Sequence, residues 1–285
     1  LRALDTTVRS VEYVIAQPKV NKGLEGSIKK SLGSKGLPLE EHTVSKEDNL
    51  NPRYTFDNFV IGPFNELAHA ASQAIIKQPG VVYNPLFIYG NTGHGKTHLT
   101  QAIGNQIKHL YKDKQIYYMT SEQYTDEYVR SVQTNKTSTF KEKYRKYDVL
   151  IIDDIQFLSK KEKTQEELFH LFNTLYENNK QIIFSSDKHP NFIPNLEDRL
   201  KSRFNQGMIV DIPRPDMEAR IAIIQNKIIF QDLELDKDVI TYLAEHIETN
   251  IRELEGILNT INCQTDLKQR PLTLQEVKKL IKGDN

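Results

Sequence analysis

The chain has 285 residues, with 38 Lys+Arg balanced by 38 Asp+Glu, 38% hydrophobic residues and 27% charged. That composition suits one large globular domain or two modest ones, and the neutral balance excludes a uniformly basic nucleic-acid coat while leaving local patches open. A single cysteine, Cys263, excludes a disulfide framework and a cysteine-ligated metal cluster; with neither a membrane-length apolar run nor a signal peptide, the expected compartment is the cytoplasm.

In chain order, residues 1–17 carry apolar positions but are too short to fold alone, and read as the remnant of a preceding domain. Residues 18–51 hold four Gly, two Pro, no aromatic, and six Lys interspersed among five acids, the composition of a flexible linker. Over 52–213 strands alternate with helices. A short apolar strand at 86–89 runs into a Gly-rich loop and a helix over 97–110; a second strand follows at 116–119, then helices over 122–132 and 139–144. The apolar run 149–152, bounded by Asp148 and Asp153, predicts a strand buried on both faces. A helix over 165–177, a strand at 181–184 and a strand at 208–212 complete the pattern. Strands separated by helices imply a five-stranded parallel sheet between helices, an α/β fold. Beyond Pro213 the spacing is purely helical, over 217–230, 237–245, 250–260 and 273–281, so residues 214–285 are expected to form a small α-helical lid.

The Gly-rich loop carries the chemistry. Gly90-Asn91-Thr92-Gly93-His94-Gly95-Lys96-Thr97 fits the P-loop pattern G-x-x-x-x-G-K-[ST] between a strand and a helix. Its glycines let backbone N–H groups converge on phosphate oxygens, and the helix N-terminus adds partial positive charge. Lys96 is expected to reach the β- and γ-phosphates of ATP and the Thr97 hydroxyl to ligate Mg²⁺; His94 occupies a variable position and is expected to be tolerated there, not catalytic. Asp153 and Asp154 end the apolar strand at the sheet edge where ligands bind. Asp153 is assigned to Mg²⁺ through water, and Asp154 to the attacking water. Asp154 is one methylene shorter than Glu, which predicts slow hydrolysis, suited to a switch and poor for a motor.

These residues resemble the AAA+ superfamily and, within it, the DnaA family of bacterial chromosomal replication initiators. The resemblance runs from Tyr54 to about Ile281 through segments 54–62, 65–75, 84–90, 93–99, 152–157, 186–187, 199–204 and 250–256. It implies that an aromatic-rich entry strand over 54–62, with Tyr54, Phe56 and Val60, lies against adenine and ribose, and that Gly93, His94, Gly95, Lys96, Thr97 and His98 surround the nucleotide. Asp187 falls where the family places its first sensor of the γ-phosphate, and Arg252, at the start of the third lid helix, where it places the second sensor, so that the lid position would report whether ATP or ADP is bound. Arg199 and Arg203 lie one helical turn apart and share a face. By resemblance Arg203 is the arginine finger reaching a neighbouring subunit's ATP, Arg199 supports it, and Arg145 lies at the subunit interface.

Residues 130–146, within the helical segment between the second strand and the acidic strand, hold Arg130, Lys136, Lys141, Lys143, Arg145 and Lys146 against Glu142 alone. In the family this segment lines a filament and binds single-stranded DNA. Val129, Lys161 and Lys163 fall at the contact positions, Lys163 where many members have Arg. Lysines there would follow phosphates without reading sequence. The resemblance further implies a self-oligomer in a helical filament, a helicase or its loader as partner of a missing N-terminal domain, and no recognition of duplex origin boxes, because the family's helix-turn-helix module is not in this sequence. Leu274, Val277, Leu280 and Ile281, with nearby lysines, mark a candidate contact to acidic phospholipids, against the simpler reading of an ordinary lid helix. The function implied is an ATP-switched initiator whose filament opens origin DNA. A DnaA-related regulator or helicase loader is the alternative; a motor ATPase is disfavoured by Asp154 and by the lack of an evident aromatic pore loop.

Overall fold

The computed structural model describes residues 47–248 and 250–282. The segment 1–17 and most of the expected linker lie outside the described residues. In chain order the elements are α1 (Glu66–Lys77), β1 (Leu86–Tyr89), α2 (Lys96–Leu110), β2 (Ile116–Thr120), α3 (Ser121–Gln133), α4 (Thr137–Arg145), β3 (Val149–Asp153), α5 (Glu162–Glu177), β4 (Gln181–Ser186), α6 (Asp198–Asn205) and β5 (Met208–Asp211). The lid follows as α7 (Met217–Phe230), α8 (Lys237–His246), α9 (Ile251–Lys268) and α10 (Leu274–Lys282). Short 3-10 turns at Ile155–Leu158 and Pro190–Phe192 precede α5 and α6.

The five strands are all parallel, in the order β2-β3-β4-β1-β5. Central strands β3 and β4 are buried at every position, which for β3 is what an apolar run bounded by acids predicts. Alternation along each strand separates two cores. Phe87, Leu150, Ile152 and Phe184 face α3 to α6, packed with Tyr124, Phe140, Tyr144 and Phe172. Leu86, Ile88, Val149 and Ile151 face α1 and α2, packed with Ala71, Ile75, Leu99 and Ile103. A third core holds the lid together through Ile224, Leu243, Leu258 and Val277.

Two expectations are revised, one element is added, and the α10 alternatives are decided for an ordinary lid helix. The domain begins earlier than residue 52: Leu50 is buried in the α1–α2 core, the Asp48 carbonyl accepts from Tyr118 N–H at 2.9 Å, and its buried carboxylate pairs with Lys108. The helix α1, whose Ala68, Ala71, Ser72, Ile75 and Ile76 form one buried stripe, adds an element that the strand–helix alternation does not include. The apolar side of α10 is enclosed: Val277 is fully buried, and Leu274, Leu280 and Ile281 pack on the lid core, which leaves that side unavailable to a lipid surface. Finally, residues 54–62 form turns, not a strand. Side-chain bonds explain the turns. Asn58 donates to Arg53 O at 2.7 Å, while Asn65 donates to Val60 O and accepts from Gly62 N–H, each at 2.9 Å. Local Asn–backbone bonds of this kind compete directly with extended pairing.

That turn-rich segment joins the two bodies. Phe59 sits in the α1–α2 core and its neighbour Val60 in the lid core. It is fastened to α2 by His98, whose Nε2 lies 2.8 Å from Thr55 O and whose ring stands 5.1 and 5.2 Å from the Tyr54 and Phe59 rings. Thr55 O can only accept, so Nε2 carries the proton. Burial, with Lys227 adding to it, lowers the His98 pKa to about 4, so the ring is neutral near pH 7. A pKa below the unfolded value of about 6.5 makes stability rise with pH between about 4 and 6.5. Compared with the wild type, His98→Gln should flatten urea-unfolding stability against pH in that window by roughly 2 kcal/mol, discounted because the ring keeps some solvent contact. Parallel pH profiles for the two proteins would refute the clamp.

Candidate functional site

The loop between β1 and α2 turns through three glycines at positive φ, Gly90 at 153°, Gly93 at 83° and Gly95 at 89°. At Gly90 a Cβ would fall 2.3 Å from Ile212 O, and at Gly93 2.5 Å from the Asn250 Cβ, so neither position accepts a side chain. The loop is therefore wedged between the end of β5 and the start of α9. His94 is more than tolerated: it is buried, with Nδ1 3.2 Å from Ile212 O, tying the loop to the chain leaving β5. Lys96 is buried too. Its Nζ donates to Gly90 O at 2.7 Å and Asn91 O at 3.0 Å, and burial lowers its pKa while Asp154, Asp153 and Asp187 oppose that.

Asp153 lies beneath the loop, 1% exposed. Its Oδ2 accepts from Thr97 Oγ1 at 2.7 Å and from the Tyr118 hydroxyl at 2.8 Å; its Oδ1 accepts from the Ser185 hydroxyl and from Asp154 N–H at 3.1 Å. Burial, with Asp154 adjoining, raises its pKa. Asp154 occupies the left-handed region at φ 58°, strained for a residue other than Gly, and Gln156 Nε2 donates to its Oδ1 at 3.0 Å. Asp187 Oδ1 is buried without a hydrogen-bond partner.

One cleft gathers most of the expected residues. Tyr54, Val60, Gly93, His94, Gly95, Lys96, Thr97, His98, Asp154 and Arg252 all line it. Phe56 does not: it packs on His69, with ring centroids 5.6 Å apart, and against the α1–α2 core. Asp187 faces a second cleft on the other side of the loop, which shares His94 and includes Tyr89, His189 and Phe192. Asn58, Phe59, Phe64, Phe157, Lys227 and Glu255 line the first cleft as well and were missed. The cluster Phe56, Phe59, Phe64 ahead of the loop is the available signal for Phe59 and Phe64; Lys227 and Glu255, paired at 2.5 Å on the lid, have no local signature.

The lid closes directly on the loop. Asn250 caps α9 by accepting from Glu253 N–H at 2.7 Å, and Ile251 N–H donates to Gly93 O at 3.2 Å. Arg252, exposed in the first turn of α9, faces the cleft beside Lys96.

The remaining expected residues lie off the cleft. Arg199 and Arg203 share the half-buried Phe169 ring, their guanidinium carbons 5.0 and 5.7 Å from its centroid. Arg199 pairs with Glu197, and Arg203 donates to Gln206 Oε1 at 3.1 Å. Arg145 is exposed at the end of α4. Val129 is exposed on α3; Lys161 immediately precedes α5 and Lys163 sits in its first turn. Helices α3 and α5 both contact the 3-10 turn that follows Asp154. The basic run 130–146 is less positive in space than in sequence: Lys141 pairs with Glu167 at 3.1 Å and Lys143 with Glu127 at 2.6 Å, both acids outside the run. Among the described residues, Lys161 and Lys163 pair with no acid.

A family model, the bacterial DnaA ATPase domain, matches residues 50–211. The chromosomal replication initiator protein DnaA of Lactiplantibacillus plantarum is 49% identical over 241 residues, 85% of this chain and 53% of that protein. The chain thus spans about half the length of the curated relatives it matches. Among solved structures, domain III of the Thermotoga maritima replication initiation protein DnaA matches with TM-score 0.79 and 41% identity, over 82% of this chain and 97% of that one. A replication initiator DnaA bound to AMPPCP and single-stranded DNA matches with TM-score 0.72 and 41% identity, over 78% of this chain and 70% of that one. With a five-stranded parallel sheet, a P-loop wedged under a helical lid and a family match across more than half its residues, the chain belongs to the bacterial DnaA family of AAA+ proteins.

Proposed function

We propose that this chain is the ATP-switched core of a chromosomal replication initiator. In this reading ATP occupies the cleft between sheet edge and lid, the ATP-bound form assembles into a filament on single-stranded origin DNA, and slow hydrolysis ends the active state. The observation that carries it is the direct contact of α9 with the phosphate loop at Gly93, so that a nucleotide in the cleft touches base and lid together.

The residues fit a Mg²⁺-nucleotide. Mg²⁺ keeps several waters and takes few protein ligands, and the Thr97 hydroxyl and Asp153 carboxylate, 2.7 Å apart, are such a sparse oxygen set. When bound, the ion would neutralise charge developing on the phosphates. Loop N–H groups and Lys96 hold the phosphate chain, with Lys96 exchanging the Gly90 and Asn91 carbonyls for phosphate oxygens. Asp154 takes the role of orienting water. The unpartnered Asp187 Oδ1 and the exposed Arg252 supply the γ-phosphate sensors. Arg203, held on Phe169 away from its own cleft, suits a role in trans toward a second copy; Arg145 and Arg199 belong to the same subunit boundary.

Electrostatics favours the DNA contact at Lys161 and Lys163. Cations at a helix N-terminus oppose the macrodipole and cost roughly 0.3–1 kcal/mol each, so two unpaired lysines at the start of α5 destabilise the helix while concentrating positive potential for phosphates. Val129 lies across the intervening turn on α3 and supplies an apolar contact to sugar or base. A helicase or its loader, and a cytoplasmic location, follow the same family reading.

Single-strand affinity measured with ATP and with ADP tests the switch: binding should tighten at least tenfold with ATP, and equal affinities would defeat the proposal. Arg203→Ala should keep near-normal ATP affinity yet lose ATP-dependent assembly in analytical ultracentrifugation; normal assembly would remove the finger assignment. Lys161→Ala combined with Lys163→Ala should weaken single-strand binding and reduce the slope of log K against log salt by about 1.4, at roughly 0.7 for each phosphate no longer neutralised. An unchanged slope would move the DNA path elsewhere.

A further inference from the structure

The Asp153 carboxylate, 1% exposed, must be satisfied almost wholly by the protein. The P-loop pattern accounts for one of its donors, Thr97. Two others come from the strands on either side of β3. On β2, Tyr118 pairs in register with Ile151, two residues before Asp153 and on the same face of the sheet. Two strand residues span roughly 6.6 Å, a gap the phenol bridges by lying along the strand to reach Oδ2 at 2.8 Å. On β4, Ser185 follows Phe184, the partner of Ile152, and therefore stands opposite Asp153, where its hydroxyl meets Oδ1. The same Ser185 oxygen accepts Asp154 N–H at 3.1 Å. The phenol is braced in turn by the Gln101 side chain, whose Oε1 accepts Asn51 N–H at 2.8 Å.

We infer that Tyr118 and Ser185 are positioning residues for the divalent cation of the nucleotide complex: gripping the two Asp153 oxygens from opposite strands, they fix the carboxylate plane so that Thr97 keeps its proton on Asp153 and leaves its lone pairs free for the cation. The torsion that rotates an Asp carboxylate is soft, so without these hydroxyls the plane would be set by Thr97 and one N–H alone. Neither residue lines the cleft. Partners that orient a metal's ligands typically account for 10–100-fold in metal affinity. The inference rests on the Mg²⁺-nucleotide reading proposed above and adds residues that lie outside the P-loop pattern.

The test titrates the whole chain with a fluorescent ATP analogue, in EDTA and at increasing Mg²⁺, for the wild type, Tyr118→Phe and Ser185→Ala. In the wild type Mg²⁺ should tighten nucleotide binding. Each variant should need about 10-fold more Mg²⁺ for half its effect, with affinity in EDTA unchanged within twofold. A merely structural role would weaken binding equally with and without Mg²⁺, and that outcome overturns the inference, as does an unchanged Mg²⁺ midpoint in both variants. Should Tyr118→Phe fail to fold, Ser185→Ala alone decides, because it acts on the other oxygen. A wild type indifferent to Mg²⁺ would overturn the Mg²⁺-nucleotide reading itself, and this inference with it.

Discussion

The arrangement turns on one buried charge. Asp153 ends the central β3 strand with 1% of its surface exposed, and a carboxylate so placed is tolerable only if donors surround it. The donors come from α2, β2 and β4 and from the next residue of its own chain. Three separate elements must therefore reach the correct register before the charge is satisfied. A slip of one residue in β2 or β4 would turn Tyr118 or Ser185 to the opposite face and leave the acid unpaired. Sheet register and site geometry are thus one constraint, and the phosphate loop, fastened to Asp153 through Thr97, is positioned by it.

The lid is held by a second set of contacts that cross from body to body. Phe59 and Val60, adjacent in sequence, belong to different cores, and Gly93 touches Asn250 and Ile251. Adjacent side chains in separate cores make a short lever: rotation of the lid must either bend the turns around Asn58 and Asn65 or pull one side chain from its core. His98 fixes the near end of that lever by its bond to Thr55 and its aromatic neighbours. A nucleotide held between loop and α9, as proposed, would therefore act on a joint that is already mechanically defined.

How much of this could be read from sequence follows from what each feature depends on. The strands were legible because apolar runs bounded by acids or turns leave little choice of face, and the P-loop because its glycines and Lys-Thr pair are local. The entry segment departs from what the resemblance implies: in place of a strand carrying Tyr54, Phe56 and Val60, Asn58 and Asn65 bond the backbone into turns, and Phe56 faces His69 instead of the cleft. Helix α9 runs to Lys268 rather than stopping near 260, since its polar last two turns, with Leu267 exposed, lack an apolar stripe to reveal them. Tyr118, Ser185, Lys227 and Glu255 escaped because their placement depends on strand register and on lid docking, which no linear spacing encodes. The same limit affected charge: the basic run 130–146 gains Glu127 and Glu167 as partners only once α3, α4 and α5 pack.

That redistribution of charge bears on how nucleotide and DNA would be coupled. A ligand shifts a conformational equilibrium only through contacts that differ between the two states. ATP and ADP differ by a γ-phosphate, so in the proposed function the groups that tell them apart are Asp187 with its unpartnered oxygen, Arg252 on α9, and Arg203 on an outer face. Two of these three do not belong to a rigid site within one base domain. On that proposal Arg252 would report through the lid, and Arg203 would act only when a second copy brings a cleft to it. Lys161 and Lys163, meanwhile, start the helix that also carries Phe169, the ring on which Arg199 and Arg203 rest. Helix α5 therefore holds the proposed DNA-contacting lysines at its N-terminus and, roughly two turns on, the support of the proposed finger. A rigid helix joining the two would make the proposed assembly and strand contact geometrically dependent, with no need for a longer pathway through the sheet.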